Sequence, residues 1–138
     1  MAIRSRLRRG GVLQGTWPNA AGAPVTPGWF WPKMHKLGRP LSSAVHRADG
    51  STEMVFDKDF DFNHQIHYVN SPMIVLQPGE TITSTCTFDN TTNNPKNPSD
   101  PLKVVGWGEG TEDEMFLAFV GITLYREKLT LFSRQPLK

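Results

Sequence analysis

Four histidines and one methionine are the side chains of this chain best suited to soft or borderline metal chemistry: His35, His46, His64, His67 and Met115. A His/Met set suits copper, because imidazole serves both oxidation states and a thioether favours Cu(I). Met115 sits at the junction between the polar, glycine-rich Gly106-Trp-Gly-Glu-Gly-Thr-Glu-Asp-Glu114 and the apolar run that follows it. There a thioether can point out of a sandwich instead of into its core. His64 and His67 lie three apart, so on a strand they face opposite sides and chelate one ion only across a bulge. His46 alternates within a strand and reads as a surface or hydrogen-bonded residue.

Other chemistries are poorly supplied. No Gly-x-Ser-x-Gly elbow is present, and Ser42 and Ser43 lack a His/Asp partner pattern. Glu112, Asp113 and Glu114 offer an acid/base pair, but such a run reads first as a solvated loop. Gly106, Gly108 and Gly110 read as a close-packed turn at a strand end, not a phosphate cradle. No catalytic side chain is therefore assigned.

The elements that must position these residues read as strands. The chain of 138 residues has 12 Gly and 11 Pro, which favours an all-β domain with many loops over a helical bundle. Leu41 to Arg47 and Thr52 to Asp57 flank Ala48-Asp49-Gly50-Ser51, a strong hairpin signal. Phe60 to Val69 alternates in part, and Met73 to Leu76 is a short apolar run. Gln77-Pro78-Gly79-Glu80 has the order of a type II turn. Thr81 to Asp89 sets four threonines against Ile82, Ser84, Cys86 and Phe88. Asn90 to Pro101 is a polar loop without core-forming residues. Val104 to Trp107 and Met115 to Tyr125 follow, and Leu129 to Phe132 offers one more strand. Residues 1–32 read as an irregular basic segment broken by prolines, with Trp29-Phe30-Trp31 as an apolar cluster for a sandwich edge. Residues 33–138 read as one antiparallel sandwich or jelly-roll domain.

The net charge of +2 comes from one place. Arg4, Arg6, Arg8 and Arg9 form a cationic arm; without it eleven basic residues face thirteen acidic ones. No aromatic residue interleaves the arginines, so the arm reads as a solvated terminus and nucleic acid is not expected as a partner. No apolar run approaches the roughly 20 residues needed to span a bilayer. The stretch after the arginines has no apolar core of a signal peptide. Cys86 is the single cysteine, which excludes an intrachain disulfide and makes it a small buried hydrophobe.

Four motifs in order carry a resemblance: Met34-His35-Lys36-Leu37-Gly38-Arg39, Thr85 to Thr92, Gly106-Trp107-Gly108-Glu109, and Thr111-x-Asp113-Glu114-Met115. From about Lys33 to Tyr125 the chain resembles the C-terminal domain of the copper type II, ascorbate-dependent monooxygenases. That family includes peptidylglycine alpha-hydroxylating and dopamine beta-monooxygenase, and Trp-Gly-Glu before Asp-Glu-Met resembles its bacterial members. The resemblance implies a jelly-roll β-sandwich, a catalytic copper held by a His-x-His pair and a Met, and ascorbate as reductant. The reaction it implies is hydroxylation of a substrate C–H bond, and the place extracytoplasmic.

The family's Met falls on Met115 and its second His on His35. The first falls on Lys33, whose ammonium has no lone pair. His64 or His67 would then have to substitute, or the site is degenerate. Phe116 stands where animal members carry the cysteine that pairs with the position of Cys86. The family also needs a second, N-terminal copper domain to deliver an electron, which 138 residues cannot hold. The chain is thus expected to be a copper-binding domain that works with a partner, acting on a small-molecule or peptide substrate. The other expectation is a jelly-roll binding or structural module that has lost its metal.

Overall fold

A computed structural model describes residues 6–7 and 9–124. Among these the chain is all-β and antiparallel, as expected, and its two larger sheets face each other as a sandwich. The nine strands are β1 (Arg6–Leu7), β2 (Gly10–Pro18), β3 (Val25–Met34), β4 (Gly38–His46), β5 (Thr52–Lys58), β6 (Tyr68–Val69), β7 (Thr81–Asp89), β8 (Val105–Gly106) and β9 (Phe116–Leu124). One sheet has the order β2-β7-β4-β5 and the other β6-β3-β9, while β1 and β8 pair alone.

The core follows from period-2 alternation. Ile82, Ser84, Cys86 and Phe88 of β7 and Leu41, Ser43 and Val45 of β4 point inward. Phe30 and Met34 of β3 and Phe116 of β9 meet them from the other sheet. The outer face of the four-stranded sheet is polar. Thr83 bonds Thr16 at 2.9 Å, and Thr85 accepts from Gln14 at 3.1 Å. The Asp49-Gly50 hairpin and the Gln77–Glu80 turn form as expected, each with its glycine at positive φ (84° and 86°).

Several expectations are corrected. Most of residues 10–32, read as irregular, belongs to β2 and β3. The prolines are tolerated because each sits where no ladder donor is needed. Pro18 ends β2, which lies at a sheet edge, and Pro27 lies at the register shift between β3 and β9. Pro32 lies beyond the reach of β6, which pairs only with Trp29 and Phe30. Phe30 accordingly lies in the core, and only Trp29 and Trp31 face out.

Most of Phe60 to Val69 is not a strand. The Asp61 carboxylate accepts the Asn63 N–H at 3.1 Å and its carbonyl the His64 N–H at 3.0 Å, which turns the chain locally. The solvated-arm reading fails at Arg6 and Leu7, which pair with Gly106 and Val105. In the Asn90 to Pro101 loop, Asn90 and Asn94 are buried and tie the loop to Lys103 and Asp89. Leu129 to Phe132 lies outside the described residues.

Candidate metal centre

β3 and β9 run antiparallel, with their last rung at Met34↔Phe116. His35 and Met115 are the first residues past that rung, one on each chain segment. By alternation both fall on the outer side of the sheet, opposite to Met34 and Phe116. Lys33, two residues back along β3, falls on the same side.

Two turns build this end. After His35 the chain reverses through Lys36-Leu37 into β4, closed by the Gly38 N–H on the His35 carbonyl at 2.9 Å. Gly38 has no room for a side chain: a Cβ would come within 2.8 Å of Met34 Cβ and 2.9 Å of Phe60. The second turn is the Trp-Gly-Glu-Gly loop. Gly106 and Glu114 bond across its neck at 3.0 Å, and Gly108 donates to the Glu114 carbonyl at 3.2 Å. The Asp113 carboxylate occupies the space a Gly108 Cβ would need and accepts the Gly110 N–H at 3.2 Å. Gly108 and Gly110 therefore serve close approach within the loop, as the sequence reading held, whereas a Cβ at Gly106 would meet nothing within 4 Å.

The loop aims the Asp113 carbonyl at His35 Nδ1, 3.1 Å away. A carbonyl can only accept, so Nδ1 carries the proton and Nε2 keeps its lone pair. His35 is 3% exposed. Burial lowers its pKa, helped by the Lys33 charge and opposed by the Asp113 carbonyl and carboxylate. The ring is therefore neutral near pH 7. A neutral imidazole whose one N–H is held by a backbone carbonyl, with the other nitrogen free to donate its lone pair, is the arrangement metal-ligating histidines use. Met115 is partly exposed.

Glu114 ties the two segments together. Its Oε1 accepts the His35 N–H at 2.9 Å and the Met115 N–H at 2.8 Å. At 4% exposure it is buried, which corrects its reading as part of a solvated acidic run. Burial pushes its pKa up to about 7, although the amides of His35, Met115 and Leu37 oppose the shift. The signal was present in the alternation: Glu114 has the parity of the inward-facing Phe116 and Ala118.

His67 is held between two indoles on the outer face of β3, 5.1 Å from the Trp29 ring and 4.8 Å from that of Trp31. His64 is exposed in the turn that carries Phe62, whose ring is 6.3 Å from that of His35. Among the described residues no group of three or more His, Cys, Asp or Glu is arranged to hold a metal. Cys86 is fully buried and its thiol is pushed up by burial and by nearby Glu114, which makes it unreactive.

The sequence model of the copper type II ascorbate-dependent monooxygenase C-terminal domain matches residues 29–131. The chain belongs to this family. A search of curated proteins returns no match. Within the family frame, the neutral His35 and the Met115 thioether fit copper as donors. Lys33 does not, since an ammonium offers no lone pair. No described helix is long and apolar enough to cross a membrane.

Proposed function

We propose that this chain is the domain that holds the catalytic copper of an ascorbate-dependent monooxygenase, with His35 Nε2 and the Met115 sulfur as donors. The reaction is hydroxylation of a substrate C–H bond. The observation that carries this reading is the bond from His35 Nδ1–H to the Asp113 carbonyl, which leaves Nε2 as a neutral donor at the end of the sheet that carries Met115. Copper, when bound, supplies the one-electron chemistry that dioxygen needs. The chain's own part is to keep the imidazole neutral and oriented, and to present a soft sulfur that favours the reduced metal. The second electron comes from an N-terminal copper domain or a partner protein, and an extracytoplasmic location goes with this chemistry. In this reading the sandwich is a jelly roll, and the Trp-Gly-Glu and Asp-Glu-Met motifs go with bacterial members of the family.

One observation favours a second reading, a sandwich that has lost its metal. Lys33 is close enough to His35 for its charge to act on the ring. The same charge opposes a copper ion, and among the described residues no group of three or more His, Cys, Asp or Glu is arranged to hold a metal.

Titration of the apo protein with Cu(I) under reducing conditions, against a competing chelator, separates the two. The copper reading expects one-to-one binding, weakened about a hundredfold by Met115→Ala. Binding no tighter than that of the unfolded chain leaves the second reading.

A further inference from the structure

Among the described residues Glu114 is the most buried acid, and its surroundings do not compensate its charge. Its Oε2 is buried and has no hydrogen-bond partner. The groups that favour its charged form are backbone amides, with no cation among them. A buried carboxylate held in this way is costly, and an apolar residue of similar size would serve a plain core better. Its position supplies a reason for it. The β3–β9 ladder stops at Met34↔Phe116. Beyond that rung the two segments part, one into the turn toward β4 and the other into the Trp-Gly-Glu-Gly loop. The next rung is replaced by one oxygen, Glu114 Oε1, which receives the main-chain N–H of both His35 and Met115.

We propose that Glu114 is the positioning residue of this site. Its Oε1 is a shared acceptor that sets the separation of the His35 and Met115 backbones, so that Nε2 and the sulfur are arranged before a metal arrives. This rests on the copper reading for its purpose, but the clasp itself is a property of the apo protein. The second anchor is the Asp113 carbonyl on His35 Nδ1, carried by the residue before Glu114. Loss of the clasp therefore also releases the tautomer.

The test uses the whole chain with Glu114→Gln, Glu114→Asp and Glu114→Ala. Gln keeps an oxygen at the Oε1 position, Asp withdraws it by one methylene, and Ala removes it. In the apo protein, amide exchange at His35 and Met115 is expected to accelerate about tenfold to a hundredfold in E114D and E114A. Val45 and Thr83 should keep their rates, and E114Q should restore slow exchange. The ring nitrogen shifts of His35 should lose the Nδ1–H signature in the same two variants. With Cu(I), affinity should fall about tenfold to a hundredfold in E114D, with loss of the copper–sulfur signal in X-ray absorption, and E114Q should regain both. A carboxylate that only stabilised the fold would lower Tm and leave that signal in place, and this outcome overturns the proposal. Parent-like exchange at both amides together with a parent-like His35 tautomer in E114D also overturns it. Should E114A fail to fold, E114D decides alone. Should the parent chain bind no Cu(I), the copper reading falls, and exchange and tautomer in the apo protein still decide the clasp.

Discussion

Two buried glutamates, Glu80 and Glu114, sit at opposite ends of the sandwich and are treated in opposite ways. Glu80 lies just before β7 begins; Glu114 lies near where β7 ends and β4 starts. The Glu80 carboxylate receives Arg47 at 3.0 Å and the Gln77 N–H at 2.8 Å on one oxygen, and the Ala48 N–H at 3.4 Å on the other. Burial raises its pKa, but these amides and the Arg47 guanidinium together bring it below the ordinary value. Glu114 has amides only, one bare oxygen and a pKa of about 7. An acid that serves the fold is compensated; one that stays uncompensated in the core points to a demand other than stability.

The largest effect should come from the compensated end. Glu80→Ala leaves Arg47 with the exposed Glu53 and the Val75 carbonyl, and leaves the Gln77 N–H without its acceptor. Urea denaturation should show a loss of about 3 kcal/mol. Cu(I) affinity should not change. If it falls in step with stability, the two ends are coupled and the contrast breaks.

The next effect is in pH. The folded-state pKa of Glu114 lies above its ordinary 4.5, at about 7, so the native state holds a proton that the unfolded chain has lost. That contribution is complete below 4.5 and is lost as pH rises through 7. Apo stability should fall across this window by roughly 3 kcal/mol at most. Glu80 has the opposite sign: its contribution is present above 4.5 and is lost as pH falls through its lowered pKa. Urea midpoints measured across pH should show both limbs, with Glu114→Gln flattening the neutral one and Glu80→Gln the acid one. A neutral limb that survives Glu114→Gln assigns the titration to another group.

The same contrast governs what could be read in advance. β7 was legible because strict alternation of threonines against apolar residues leaves one register possible. The Asp49-Gly50 and Pro78-Gly79 turns were legible because backbone chemistry alone dictates them. β2 and β3 were hidden by prolines whose tolerance depends on which strand edge lies open, a fact of sheet order and not of local sequence. Glu114 was hidden because three consecutive acids resemble a solvated loop, and only the register of the following strand turns the third one inward. The His35 and Met115 pairing was legible only through the order of motifs. Their spacing of eighty residues says nothing about a shared sheet end.

A gain of function sharpens the comparison further. Lys33 shares the outer side of β3 with His35, and its charge helps to lower the affinity of that ring for a proton. Lys33→His removes this charge and adds an imidazole on the same side. Cu(I) affinity should rise about a hundredfold, in line with one further donor. An unchanged affinity would mean that position 33 does not face the metal, and the match of this segment to the family's His-x-His pair would be wrong.

The smallest effect is expected at His46, the histidine that best resembles His35 in its place on a strand. It ends β4 on the outer side, as His35 follows the end of β3. It is exposed, and both of its ring nitrogens meet hydroxyls, Thr83 at 3.0 Å and Thr52 at 3.2 Å. Hydroxyls donate or accept as needed, so they fix neither tautomer, and neither nitrogen is left as an oriented donor. His46→Ala should cost less than about 0.5 kcal/mol and leave Cu(I) binding unaltered. His35→Ala should abolish binding. A loss of affinity in His46→Ala would place the metal on the threonine face and end the assignment of His35, because no rearrangement of side chains brings one ion to both ends of β4.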